Sequence, residues 1–331
     1  MKKVFAFAIA AVALTVGCQK AQNPVNPETP VDANELVEIK FNTNIAVVET
    51  KSSVETLNGL TVQVYGINDT KPASTRQFYN LDATAADNAA DGFDLTLSTT
   101  QYYDGNNNNY SFYGYYLDEA TLGADDDLGV APYTATVTIT GQEDILLATT
   151  DNAGPFNGAA ARQGTNPNLA FKHALSQFKF SAINLGSEEI KLSGIKVNTA
   201  NTGTMTVLPT QSLVAGTDLV DINLVMDELT LVSKSSITDP QKTDYDAVAK
   251  SSVQSTVMVF PGSSYDLYFT LTQGTDMSRT LKVTVGDTIE SGYAYEFQVK
   301  LYSLEKIEIT ATLADWEDKQ ISIDTDSAEE V

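Results

Sequence analysis

Residue types that carry much of protein chemistry are nearly missing from this chain, which has one cysteine, one histidine and one tryptophan in 331 residues. A single cysteine excludes an internal disulfide framework. With one histidine beside it, the His and Cys clusters of structural zinc sites are excluded too. A Ser-His-Asp or Cys-His arrangement would have to use His173. That residue sits in the alternating run Phe171-Lys172-His173-Ala174-Leu175, where a structural imidazole is the commoner occupant. There is no Walker loop and no glycine fingerprint of a dinucleotide site. Basic residues are scarce as well. The 20 lysines and arginines stand against 43 acids, a formal net charge of −23, and such a surface repels phosphate backbones, so nucleic acid is not an expected partner. No enzyme activity, metal or cofactor is expected.

Long apolar runs are absent beyond the N-terminus, and the run found there is informative. Lys2 and Lys3 precede an almost unbroken apolar stretch over residues 4–16, too short for the roughly 20 residues of a spanning helix. It ends at Leu14-Thr15-Val16-Gly17-Cys18, which resembles a bacterial lipobox with its leucine one place early. The expectation is a signal peptide over residues 1–17, cleavage between Gly17 and Cys18, and lipid on the Cys18 thiol, which anchors the precursor in the outer membrane. Loss of Lys2 and Lys3 makes the chain still more acidic. Residues 18–34 hold Pro24, Pro27 and Pro30 among polar neighbours and read as a flexible tether.

What remains is rich in two-residue alternation. Val37-Ile39-Phe41, Leu60-Val62-Val64, Leu267-Phe269-Leu271, Leu281-Val283-Val285, Tyr293-Tyr295-Phe297-Val299-Leu301 and Ile307-Ile309-Ala311-Leu313 all place apolar residues on one face of a strand. Turn clusters such as Asp104-Gly105-Asn106-Asn107 separate them, and helical periodicity is weak. The pattern predicts an all-β protein of antiparallel sandwiches. An irregular stretch over residues 151–168 suggests a division into domains at 35–165 and 166–331.

Three clusters invite chemistry. The Asp104–Asn109 run begins like a calcium loop but has Asn109 where glycine belongs and Tyr115 where a bidentate glutamate belongs. Asp125-Asp126-Asp127 suits a hard cation, or more simply a solvated loop. The aromatic residues from Tyr102 to Tyr116 offer rings for sugar stacking, with a sheet core as the commoner alternative.

Four segments resemble the fimbrillins, the major type V pilins of Bacteroidales. They are Ile39-Lys40-Phe41 running to Thr50-Lys51-Ser52, Asp144-Ile145-Leu146-Leu147-Ala148-Thr149, Phe171-Lys172-His173-Ala174-Leu175-Ser176-Gln177-Phe178-Lys179-Phe180, and Gly292-Tyr293 through Ile307-Glu308-Ile309 to Asp315-Trp316. The resemblance implies two tandem transthyretin-like β-sandwich domains and export as a lipoprotein to the cell surface. It also implies assembly with other pilin subunits by strand exchange, after loss of the first strand at a processing site matching Lys51 and Ser52. Lysine stands there in place of the arginine of the best-known members. The tail over residues 317–331, in which Ile321 and Ile323 alternate, is then the candidate donor strand, a frayed terminus being the alternative. A basal anchor, a tip adhesin with a host or bacterial ligand, and a surface glycan-binding lipoprotein remain open.

Overall fold

The computed structural model describes residues 36–45, 56–72, 78–87, 92–124, 126, 128, 131–234, 250–262, 264–275, 277–313 and 329–330. Most of them are in strands, joined by turns and loops, and the helix Gly158–Arg162 is short. All but two of the pairings between these strands are antiparallel, the exceptions joining Asn168–His173 to Phe41–Ile45 and Ser176–Asn184 to Ala294–Ser303. The protein is all-β and built from packed β layers, as the alternation predicts.

In the first half, seven strands close on themselves. Their order is Ile145–Thr150, Asn168–His173, Phe41–Ile45, Phe93–Leu97, Phe78–Asp87, Thr61–Asn68 and Tyr110–Leu117, which returns to Ile145–Thr150. Inward residues of alternate positions fill the centre, among them Phe41, Val62, Val64, Phe112, Leu146 and Phe171. The irregular stretch after Asp151 does not end this unit. It folds a single helical turn, whose first N–H groups are capped by the Asn157 side chain accepting from Ala160 N, and then returns as Asn168–His173 to complete the barrel.

The second half is two sheets face to face. One has the order Ser251–Val259, Ser176–Asn184, Ala294–Ser303, Lys306–Leu313; the other runs Leu219–Asn223, Ile190–Ala200, Tyr265–Gln273, Met277–Val285, Glu329–Glu330. Tyr265, Leu267, Phe269 and Leu271 alternate inward from one sheet, and Tyr295, Phe297, Val299 and Leu301 from the other. The predicted two-residue periods are therefore the two inner faces of a sandwich.

A further sheet, Ser212–Ala215, Thr202–Thr206, Thr134–Thr138 and Thr121–Leu122, draws strands from both sides of residue 165. Under it lies a third core holding Tyr65, Tyr115, Val137, Leu175, Met205 and Phe260. Buried side chains of this size each contribute about 1.5–3 kcal/mol, so this core binds the halves firmly.

Phe178 is fully buried, with its ring centroid 4.8 Å from that of Phe297 and 5.1 Å from that of Tyr265, both edge-on. Phe178→Ala is expected to lower unfolding stability by about 3–5 kcal/mol, read as a fall in the urea midpoint. A loss well below 1 kcal/mol would mean that the sandwich core does not rest on this ring.

Candidate assembly site

The segment that opens the described chain leads into the barrel wall. Val37–Glu38 pairs with Tyr102–Tyr103, and Phe41–Ile45 then runs between Phe93–Leu97 on one side and Asn168–His173 on the other. Its alternation seats Ile39, Phe41 and Thr43 inward, each no more than 3% exposed. Phe41 meets Phe112 edge-on at 5.0 Å. The Thr43 hydroxyl, buried, donates to the Leu169 carbonyl at 2.5 Å. Where the chain passes from the first partner to the second, a groove of ≈290 Å³ opens beside it, lined by polar groups that include Lys40, Asp94, Thr96 and Asn166.

A second constellation joins the halves. Residues 140–142 turn sharply, and the Glu143 carboxylate sits inside the turn. It accepts from Thr140 N at 2.7 Å, the Thr140 hydroxyl at 2.6 Å, and the N–H groups of Gly141 and Gln142, both at 3.1 Å. Burial works to raise the Glu143 pKa. Hydrogen bonds from the Thr140 hydroxyl and from the Thr140, Glu143 and Gln142 N–H groups outweigh it, and the carboxyl ends below its ordinary range. Gly141 has φ +97°, and a Cβ there would lie 2.7 Å from Ile222 and 2.8 Å from Val257. Only glycine takes this conformation and this space. Its carbonyl accepts from Met258 N at 2.8 Å, so the turn plugs into the second half.

The next residue, Asp144, is fully buried and lies 2.6 Å from His173 Nδ1, itself 6% exposed. The other Asp144 oxygen accepts from Ile145 N at 2.8 Å. The sole histidine thus pins the end of Asn168–His173 to the start of Ile145–Thr150, the structural place expected for it. The adjacent acids Glu143-Asp144 before an apolar run were the only sign of this joint in the sequence, and charge counting alone gave them no priority.

The remaining candidates divide clearly. Gly17, Cys18, Lys51, Ser52, Ile321, Ile323 and Trp316 all lie outside the described residues, and so do Asp125 and Asp127. Asp126 accepts from Thr136 N at 2.6 Å, within a loop. Around the Asp104–Asn109 run, Lys71 pairs with Asp104, Arg162 with Asn106, and Asn157 with Asn109. These are the contacts of a pinned loop. Among the described residues no group of three or more His, Cys, Asp or Glu side chains is placed to hold a metal. Tyr103 and Tyr110 are core residues, 2% and 3% exposed and edge-on to each other at 5.2 Å. Burial, with Tyr110 beside it, drives the Tyr103 hydroxyl pKa up. Tyr102 alone of the three reaches solvent, and the other two rings belong to the barrel core.

Two outcomes test the joint. His173→Ala leaves the Asp144 carboxylate buried without its partner, and a loss of about 3–5 kcal/mol is expected in denaturant unfolding; a loss under about 1 kcal/mol would show that the pair holds nothing. The folded-state pKa of Glu143 lies below the value of 4.5 it takes without the turn. Its stabilisation is therefore complete above that pH and is lost as the pH falls through the lowered pKa. Glu143→Gln is expected to remove that part of the acid dependence and to cost about 2 kcal/mol near neutrality, read from melting temperature against pH. An unchanged acid limb would assign the dependence to other carboxylates.

The fold has solved counterparts. A candidate cell adhesion protein from Bacteroides uniformis superposes with a TM-score of 0.53 at 15% identity, covering 85% of this chain and 98% of its own. A second, from Bacteroides ovatus, gives 0.52 at 17% identity, with 86% and 100% covered. At such identities the likeness speaks for the fold alone. No curated protein sequence matches the chain. The family profile described as Fimbrillin-like matches residues 49–316, most of the length, and by that match the chain belongs to the fimbrillin-like family.

Proposed function

We propose that this protein is a structural subunit of a cell-surface fimbrium, carried out as a lipoprotein on Cys18 and assembled by exchange of its first strand. Membership of the fimbrillin-like family supports the fimbrial and adhesive role. The finer mechanism rests on one observation. Phe41–Ile45 is the first strand of the barrel, it lies between two others, and Lys51-Ser52 follows it closely in the chain.

Cutting after Lys51 severs that strand from the rest of the barrel. Its departure would leave Phe93–Leu97 and Asn168–His173 as two facing edges with unpaired backbone groups, over an apolar bed that includes Leu95, Phe112 and Leu169. An extended segment of a neighbouring subunit restores the main-chain hydrogen bonds and fills the bed with alternate side chains. The tail carrying Ile321 and Ile323 is the segment assigned to this role. Head-to-tail repetition does not close, so a filament results. In this reading the lipid and the tether over residues 18–34 deliver the subunit to the outer membrane, and cleavage then discards both.

The deep seating of Ile39, Phe41 and Thr43 also suits a subunit that keeps its first strand, as a basal anchor or a tip would. N-terminal sequencing of protein sheared from the cell surface separates the two. A chain beginning at Ser52 is the expected result. A chain that still begins at lipidated Cys18, with no ladder of oligomers, would overturn the shaft reading in favour of an anchor.

A further inference from the structure

Phe41–Ile45 fills its seat in the barrel incompletely. Phe41, Asn42 and Thr43 lie opposite Leu95, Asp94 and Phe93 on one wall, and Asn42 lies opposite Asn168 on the other. Outward from Phe41 both walls continue and the strand does not. Thr96 and Leu97 pair with Thr84 and Ala83 behind them, but face no strand partner across the seat among the described residues. The other wall continues through Pro167, whose carbonyl accepts from Asn42 N at 3.0 Å, to Asn166. The chain before Phe41 turns aside instead. Ile39 N donates to the Gln101 carbonyl at 2.8 Å, and Val37–Glu38 joins Tyr102–Tyr103.

The groove of ≈290 Å³ is the space left by that turn, bounded by Ile39, Lys40, Thr96, Leu97 and Asn166. Ser98 N donates to the Asp82 carbonyl, away from the groove. Backbone groups alternate in direction along an antiparallel strand, so the N–H and carbonyl of Leu97 are aimed into it. This stretch of edge is unguarded. Its pairing shows no bulge, and residues 96–101 carry no charge and no proline, the devices that keep an edge free.

Exchange of a strand meets a kinetic obstacle that this geometry relieves. The resident strand buries Ile39, Phe41 and Thr43 and satisfies two walls, so its departure before a replacement arrives exposes all of these groups at once. A replacement that pairs first at Leu97 advances rung by rung, restoring each pair as it breaks. We propose that the groove is the starting point of exchange, where the tail over residues 317–331 of a second copy first pairs beside Leu97 and then displaces Phe41–Ile45 toward Ile45. The tail suits the place on two counts. Ile321 and Ile323 alternate in it, and its end, Glu329–Glu330, lies as an added strand on the edge of Met277–Val285. This inference rests on the strand-exchange reading above and adds the end at which exchange begins, opposite to the cut at Lys51.

The test uses the full chain, cut after Lys51 through a specific protease site placed there, and two labelled synthetic peptides. One has the sequence of the tail over residues 317–331, the other that of the first strand over residues 35–48. The tail peptide is expected to enter at a rate proportional to its concentration, with release of the resident strand. Leu97→Pro removes the N–H aimed into the groove at an edge position where proline is tolerated, and Asn166→Trp fills the groove from the other wall. Each should slow entry about tenfold, while the uncut chain melts as before. A rate independent of peptide concentration, or one that neither variant changes, overturns the starting point and leaves strand exchange standing. Entry of the first-strand peptide alone overturns the tail as occupant. Entry of neither peptide overturns strand exchange itself, and this inference with it.

Discussion

A ring of hydrogen-bonded strands has no edges only while every member is in place, and here the member that closes the ring comes first in the chain. Phe41–Ile45 satisfies the backbone of two neighbours and places Phe41 over Phe112. The barrel's other contacts presuppose that closure. Among the described residues Asn168–His173 has one other strand partner, Ile145–Thr150, and through His173 and Asp144 it fixes the turn that reaches into the second half. The barrel's first strand and the joint near the middle of the chain are thus mechanically adjacent.

That joint places carboxylates in the interior of a protein already burdened with negative charge. Glu143 is held almost wholly by neutral donors, the N–H groups of its own turn, and Asp144 by the chain's only imidazole. Neither draws on the scarce lysines. These sit outside instead, for example Lys196 on Asp221 at 2.8 Å and Lys282 on Asp266 at 2.9 Å, in a ladder along the solvent face of the sandwich. Exposed pairs of this kind add little to stability, but they spread opposite charge over sheets that would otherwise repel their own edges.

The all-β class and most inward faces were legible because two-residue alternation survives wherever one face is buried, as in Tyr295-Phe297-Val299-Leu301. The family resemblance was legible in the segments around Phe171 and Trp316, although the latter lies outside the described residues. Other features were not legible, for physical reasons. Residues 151–168 look like a linker, because a helix of five residues has no period to detect and Gly154-Pro155 masks the return of Asn168–His173 to the barrel. For Tyr103 and Tyr110 a sheet core is the commoner reading of the sequence, but which core is not written there: pairing of that segment with Val37–Glu38 folds both rings into the barrel. The acidic turn is local, but its seat on Met258 joins residues more than a hundred apart, and no local pattern records such a meeting.

Seven is an odd number, and that has a consequence for the barrel. A closed ring of strands returns to its starting direction only if antiparallel contacts are even in number, so an odd ring must contain a parallel one. Here six contacts are antiparallel and the single parallel contact is the one between Phe41–Ile45 and Asn168–His173. The two walls of the gap that Phe41–Ile45 fills therefore run in opposite directions to each other. Any strand occupying that gap, whichever way it points, is parallel to one wall and antiparallel to the other. Parity makes the seat indifferent to polarity, and leaves the choice of direction entirely to the pattern of side chains.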